Sequence, residues 1–142
     1  MGKIVVGVDG SPGSRAALHW AHEEAKLRGA TLEIVTVWQF PVMTSLPAFG
    51  AVPPPEDLGA DAERTLLAVL SEEGIAASDD VPVSTVVTEG AAAAGLLEAA
   101  KDADLLVVGS RGHGGFTGLL LGSVSHQCAS HATCPVVVVR SD

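Results

Sequence analysis

Five short runs rich in β-branched residues alternate with four stretches of helical periodicity, and this alternation narrows the fold more than any other feature of the chain. The runs are Lys3–Val8, Thr31–Trp38, Val81–Val87, Asp104–Val108 and Pro135–Arg140. Three of them are almost continuously apolar, which is how strands covered on both faces read. Ser11 stands where an N-cap belongs, Pro12 takes the first helical position, and Ala17, Leu18, Ala21 and Ala25 recur at spacings of three and four. Gly29 closes that helix. A second helix carries Leu58, Ala62, Leu66 and Leu70 on one face and stops near Gly74. A third is alanine-dense from Ala91 to Ala100, and a fourth runs from Ser123 to about Ala132. The order βαβαβαβαβ predicts an α/β fold with an open parallel five-stranded sheet and helices on both faces, because right-handed crossovers leave few other topologies.

The 142 residues fit one domain, spanning 1–142, with no internal repeat, heptad pattern or linker. A domain near this size buries roughly 68–70% of its unfolded surface, so its core needs no disulfide or metal. The formal net charge is −9, and eight Lys plus Arg are scattered along the chain. That balance argues against gripping a nucleic-acid backbone and against adsorption to anionic lipid. No apolar run approaches the ~20 residues that span a bilayer. The N-terminus enters a strand pattern at once, without a signal-peptide cleavage site, and the chain has only two cysteines. These features predict a soluble cytoplasmic protein.

The stretch Gly109–Ser123 lies between an apolar strand pattern and a helix start, and six glycines fall between positions 109 and 122. Glycines let a backbone approach a ligand without an intervening Cβ, and the first N–H groups of a helix lack internal partners. The combination suits a phosphate-bearing ligand. The stretch holds no lysine, and no Gly-x-x-x-x-Gly-Lys-[Ser/Thr] occurs in the chain, so it is not a P-loop. The Gly-x-Gly-x-x-Gly dinucleotide turn is absent too. Backbone amides, the hydroxyls of Ser123 and Ser125, and the helix dipole are left to hold phosphate.

Doubly wound sheets bind ligands beyond the carboxyl ends of their strands, where the strand order reverses. The first strand ends in Gly7-Val8-Asp9-Gly10-Ser11 and the fourth in the glycine-rich stretch, so neighbouring first and fourth strands would set Asp9 opposite it. Asp9 has three readings: a ribose or divalent-metal ligand, a phospho-acceptor, or a helix cap. A receiver-type phospho-acceptor normally has an acidic pair and a lysine after the last strand, and this chain runs straight into a single Asp9. His126, Cys128, His131 and Cys134 are the tempting zinc set, yet at about 100° per residue they point to about 0°, 200°, 140° and 80° and do not converge. A buried thiol and surface histidines are the expected outcome. His113 either touches phosphate or is solvated. No Ser-His-Asp arrangement can be argued. The segment Gln39–Pro55 carries five prolines and exceeds the ~2–6 residues usual between strand and helix; it reads as a lid or as a surface excursion.

The residues now assembled resemble the universal stress protein family. Its nucleotide-binding branch is recognised by Gly-x2-Gly-x9-Gly-[Ser/Thr], here Gly109, Gly112, Gly122 and Ser123 with both intervals intact. The opening Ile4–Ser11, the second strand ending at Val37 and the closing Cys134–Arg140 match as well, so the likeness covers essentially the whole chain. The resemblance implies a Rossmann-like, adenine nucleotide alpha hydrolase-like sheet of strand order 3-2-1-4-5. It implies ATP, with or without Mg²⁺, between the first and fourth strands. Gly7 and Asp9 would lie by the ribose and adenine, and Val37 would line the adenine pocket. Gly109, Ser110, Arg111, Gly112, His113, Gly114 and Gly115 would wrap the ribose and phosphates. Gly122, Ser123, Val124 and Ser125 would take the triphosphate at the fourth helix's start. It further implies a homodimer through Val136–Val139, and an exposed apolar edge strand needs covering in any case. Many members carry a histidine just before the position of Val37, where this chain has Thr36.

The expected function is therefore an ATP-binding, nucleotide-dependent regulatory protein of the stress response, without assigned catalytic or metal-binding residues. A slow ATPase or phosphotransferase and a nucleotide-independent interaction module are the alternatives. No residue stands out as a general base beside a γ-phosphate, which favours a sensor over an enzyme.

Overall fold

A computed structural model describes residues 2–39, 55–78, 80–111 and 122–141. Nine elements alternate along the chain: β1 (Lys3–Gly7), α1 (Pro12–Arg28), β2 (Thr31–Trp38), α2 (Pro55–Glu73), β3 (Val83–Glu89), α3 (Ala92–Ala99), β4 (Leu105–Gly109), α4 (Ser123–His131) and β5 (Val136–Val139). The strands form one parallel sheet in the order β3-β2-β1-β4-β5. This is the predicted architecture. Of the segment Gln39–Pro55, read as a lid or excursion, residues 40–54 lie outside the described residues, as do Gly112, His113, Gly114 and Gly115.

Strand alternation builds two cores. Ile4, Val6, Leu32, Ile34, Leu105 and Val107 face α1 and α2, where they meet Leu18, Ala21, Leu66 and Val69. Val5, Val35, Leu106 and Val108 face α3 and α4, where they meet Ala93, Leu96, Ala100 and Cys128. Each fully buried aliphatic side chain contributes about 1.5–3 kcal/mol. Leu18, at 0% exposure, is the residue of α1 whose truncation would open the largest void.

Local chemistry sets the helix ends. Ser11 adopts an extended conformation and accepts from the Ser14 amide, Pro12 opens α1, and Gly29 closes it at φ 64°. The edges of the sheet depart from the sequence reading. β3 runs two residues later than Val81–Val87, because its backbone pairs with β2 as far as Trp38 and Glu89 whatever the polarity of its side chains. Val81 instead precedes the strand, buried in the α1–α2 core. β5 reads as a strand covered on both faces, yet all four of its valines are half-buried, since it forms the edge beside β4.

This topology places the candidate site. The crossovers leaving β1 and β4 go to opposite faces, so a crevice opens between these two strands at their carboxyl ends. Every helix follows a strand, so the N-termini of α1 and α4 both point towards that edge. No helix among the described residues is long and apolar enough to cross a membrane.

Candidate functional site

β1 and β4 pair directly, with Ile4 opposite Leu105 and Val6 opposite Val107. Their continuations therefore form the two walls of the crevice. On the β1 side, the Val8 amide donates to the Val35 carbonyl at 2.9 Å and the Thr36 hydroxyl donates to the Val8 carbonyl at 2.9 Å. The position at which this chain departs from the family pattern thus ties the end of β2 to the end of β1.

Past Val8 the chain turns through Gly10, whose φ of 84° suits a residue without a side chain. Asp9 is exposed. Its Oδ1 accepts from the Ser11 amide at 2.9 Å and from the Ser11 hydroxyl at 2.5 Å. The Ser11 oxygen in turn accepts from the Ser14 amide at 3.2 Å. The Ser14 hydroxyl accepts from the Asp9 amide at 3.2 Å and donates to the Ser11 carbonyl at 3.1 Å. Asp9, Ser11 and Ser14 form a closed ring of hydrogen bonds over the start of α1. The cap of α1 is Ser11, and Asp9 orients that cap.

The β4 side is built differently. The Ser110 amide continues the ladder to the Val139 carbonyl at 2.8 Å. The Ser110 carbonyl then accepts from the Gly122 amide at 2.6 Å, so the glycine-rich stretch leaves and returns at one point. Ser125, buried, places its hydroxyl 2.9 Å from the Ser110 carbonyl and 3.0 Å from the Gly122 carbonyl. Its single proton is thus shared between the carbonyls of Ser110 and Gly122.

α4 begins with Gly122 as N-cap, and no side chain caps it. The first intrahelical bond runs from the His126 amide to the Gly122 carbonyl at 3.0 Å. The amides of Ser123, Val124 and Ser125 belong to the orphan set that every helix start presents. Ser123 is exposed and Val124 half-buried. Aligned peptide dipoles place about half a positive charge at such a terminus. Arg111, also exposed, enters the stretch beside it. Val124 and Val37 pack against the same α3–α4 core. A Cβ on Gly7 would stand 2.8 Å from Leu96 Cδ1, so that glycine is roofed by α3.

One contact was not foreseen. A Cβ on Gly13 would lie 2.6 Å from the Arg111 carbonyl oxygen, and a Cβ on Gly109 would lie 2.6 Å from the Gly13 carbonyl carbon. The first turn of α1 therefore rests backbone to backbone on the end of β4. Gly109, the first glycine of the motif, admits α1 on the side where its side chain would project. A glycine inside a helix has a lower helix propensity than alanine, and that is the one sequence signal that marks Gly13.

The tempting metal set comes apart. Cys128 is buried among apolar residues that push its thiol up to about 11, while His126 and His131 are exposed. Among the described residues, no group of three His, Cys, Asp or Glu could hold a metal ion. An open concavity of about 250 Å³ lies between α3 and the C-terminal end of α4, lined by residues including Leu97, Lys101 and His131, at the opposite edge of the sheet from the strand-end crevice.

Comparison with known proteins meets this geometry. The model of the universal stress protein family matches residues 1–140. A universal stress protein of Mycolicibacterium smegmatis is 42% identical over 140 residues, which make up 96% of this chain and 45% of that protein. The chain spans about half the length of the curated relatives it matches. Among solved structures, a universal stress protein in complex with cAMP is 29% identical, with a TM-score of 0.63, covering 99% of this chain and 98% of the other. The universal stress protein UspA from Lactobacillus plantarum has the same fold at 22% identity, with a TM-score of 0.76 and coverage of 98% and 97%.

Proposed function

The chain belongs to the universal stress protein family, and on that premise we propose that it binds ATP in the crevice between β1 and β4 and acts as a nucleotide-dependent regulatory protein. The observation that carries this reading is the start of α4. Gly122 caps it without a side chain, and the glycine-rich stretch ahead of it is drawn closed on the Ser110 carbonyl. Three or four hydrogen bonds from such donors to a charged tail contribute about 5–12 kcal/mol at roughly 1.5–3 each. Association costs about 4–15 kcal/mol, so apolar contact with the base must supply the remainder to reach micromolar affinity, about −8 kcal/mol. Val37 and Gly7 are the proposed base-side residues, and Asp9 reaches the ribose. Gly109 through Gly115, including Ser110, Arg111 and His113, wrap the phosphates with Ser123, Val124 and Ser125. That a 29% identical relative is seen with cAMP supports an adenine nucleotide as the ligand class.

The half-buried valines of β5 form an apolar edge. Its proposed role is to pair two copies into a dimer whose surface changes with the bound nucleotide. Calorimetric titration of the nucleotide-stripped protein with ATP, AMP, cAMP and adenosine tests the ligand assignment. The expected order is ATP tightest and adenosine weakest. Equal affinity for ATP and adenosine would remove the phosphate site from the account.

A further inference from the structure

The polar ring over α1 continues into α2 through Arg15. Its Nε donates to the Gly10 carbonyl at 3.1 Å, while its Nη1 lies 2.8 Å from Glu73 Oε2 and 2.9 Å from Glu72 Oε1. Glu73 also receives His19 Nε2 at 2.6 Å. One guanidinium thus spans the turn after β1 and the last residues of α2, which are 58 positions further along the chain. Gly10 follows Asp9 directly and holds φ at 84°. A glycine there has no side chain with which to anchor its own peptide plane.

We propose that Arg15 is a positioning residue for the nucleotide crevice: it clamps the Asp9–Gly10 corner by its carbonyl and braces that corner against the end of α2. The proposal rests on the nucleotide reading above and adds a residue outside the expected ligand set. The physical need is for a fork. Nε and Nη1 are held in one plane at fixed separation, so they serve a carbonyl and a carboxylate together. An ammonium at the same place offers a point charge, which can stay with the glutamates while the carbonyl is released. A corner fixed before the ligand arrives loses less freedom on binding, and ordering a mobile group costs about 0.5–1.5 kcal/mol, a factor of roughly 2–13 in affinity.

The test compares wild type with Arg15→Lys, Arg15→Gln and Glu73→Gln, using ATP calorimetry, thermal melting and amide hydrogen exchange of the nucleotide-free protein. Arg28→Gln is the control, since Arg28 pairs with Glu24 one turn away on the surface of α1. Arg15→Lys is expected to melt within a few degrees of wild type, to exchange the Gly10 and Ser11 amides faster, and to bind ATP about three- to tenfold more weakly. Glu73→Gln should weaken binding in the same direction but less, and it reports on the clamp even if Arg15→Gln fails to fold. Arg28→Gln should match wild type in all three measurements. Unchanged ATP affinity in Arg15→Lys, whether or not melting falls, overturns the positioning role while leaving the nucleotide site intact. Absence of ATP binding by wild type overturns the nucleotide reading and the positioning role with it. In that case faster exchange at Gly10 and Ser11 would mark Arg15 as a structural brace only.

Discussion

Two helices begin at the same edge of the sheet and meet it in opposite ways. The start of α1 is closed: Ser11 caps it, Asp9 and Ser14 complete a ring around the cap, and Gly13 is pressed against the backbone of Gly109 and Arg111. The start of α4 has Gly122 and no capping side chain. Both termini carry the same dipole. What separates them, among the described residues, is whether a side chain caps the helix start. A helix start capped by its own side chains has donors satisfied internally, whereas one without a capping side chain is the kind of terminus that can accept an anion, as proposed for α4.

The contrast can be broken from either side. The largest effect should come from Gly109→Ala, because the new methyl would stand 2.6 Å from the Gly13 backbone, which cannot swing aside as a flexible side chain would. Overpacking of this kind costs about 1–3 kcal/mol, and urea unfolding should show the loss even without nucleotide. A variant as stable as wild type would mean that the α1 contact is slack. Gly122→Glu works on the other helix. Its φ of −76° puts no backbone strain on a side chain, and because Gly122 is buried, urea unfolding is measured alongside; a carboxylate at the helix start should lower ATP affinity at least tenfold, about 1.4 kcal/mol or more. Calorimetry reads this directly, and undiminished binding would move the phosphates elsewhere.

Smaller effects sharpen the picture. Ser11→Ala removes the cap of α1 and should cost about 1 kcal/mol in stability, while ATP affinity falls less than in Gly122→Glu. If it fell more, the closed terminus would be the ligand's anchor. The weakest expected effect is a pH dependence. Arg15, and after it His19, hold the Glu73 carboxyl below the ordinary carboxylate value of 4.5. Its folded-state pKa is depressed, so its stabilising contribution is complete above that ordinary value and fades as pH falls through the folded value. The stability difference between wild type and Arg15→Gln should therefore be larger at pH 5 than in more acid solution, where it shrinks. A difference independent of pH would detach Glu73 from the closure of α1.

The sequence made some of this legible and hid the rest for identifiable reasons. Ser11, Pro12 and Gly29 marked α1 to the residue, because capping and helix termination are local chemistry. The motif pointed to Gly122 and Ser123 as the start of α4, and the helix begins there. The ends of β3 differ from the side-chain pattern because a backbone ladder continues through Thr88 and Glu89 irrespective of their polarity. Side-chain pattern also failed to tell the edge strand β5 from a central one, since four valines read alike in both places. The site lost most where partners lie far apart in the chain. Nothing near Gly13 announces the Arg111 carbonyl, and nothing near Arg15 announces Glu73. Ser125 was expected to offer its hydroxyl to phosphate, and only the fold reveals the two carbonyls that engage it.

Amide chemical shifts of nucleotide-stripped, isotope-labelled protein, titrated in parallel with ATP and with adenosine, set the two helix starts side by side. The shifts that ATP causes and adenosine does not should concentrate on Ser123, Val124 and Ser125, and Gly13 and Ser14 should respond alike to both ligands. Phosphate-dependent shifts centred on Gly13 and Ser14, with Ser123 to Ser125 unmoved, would contradict the account.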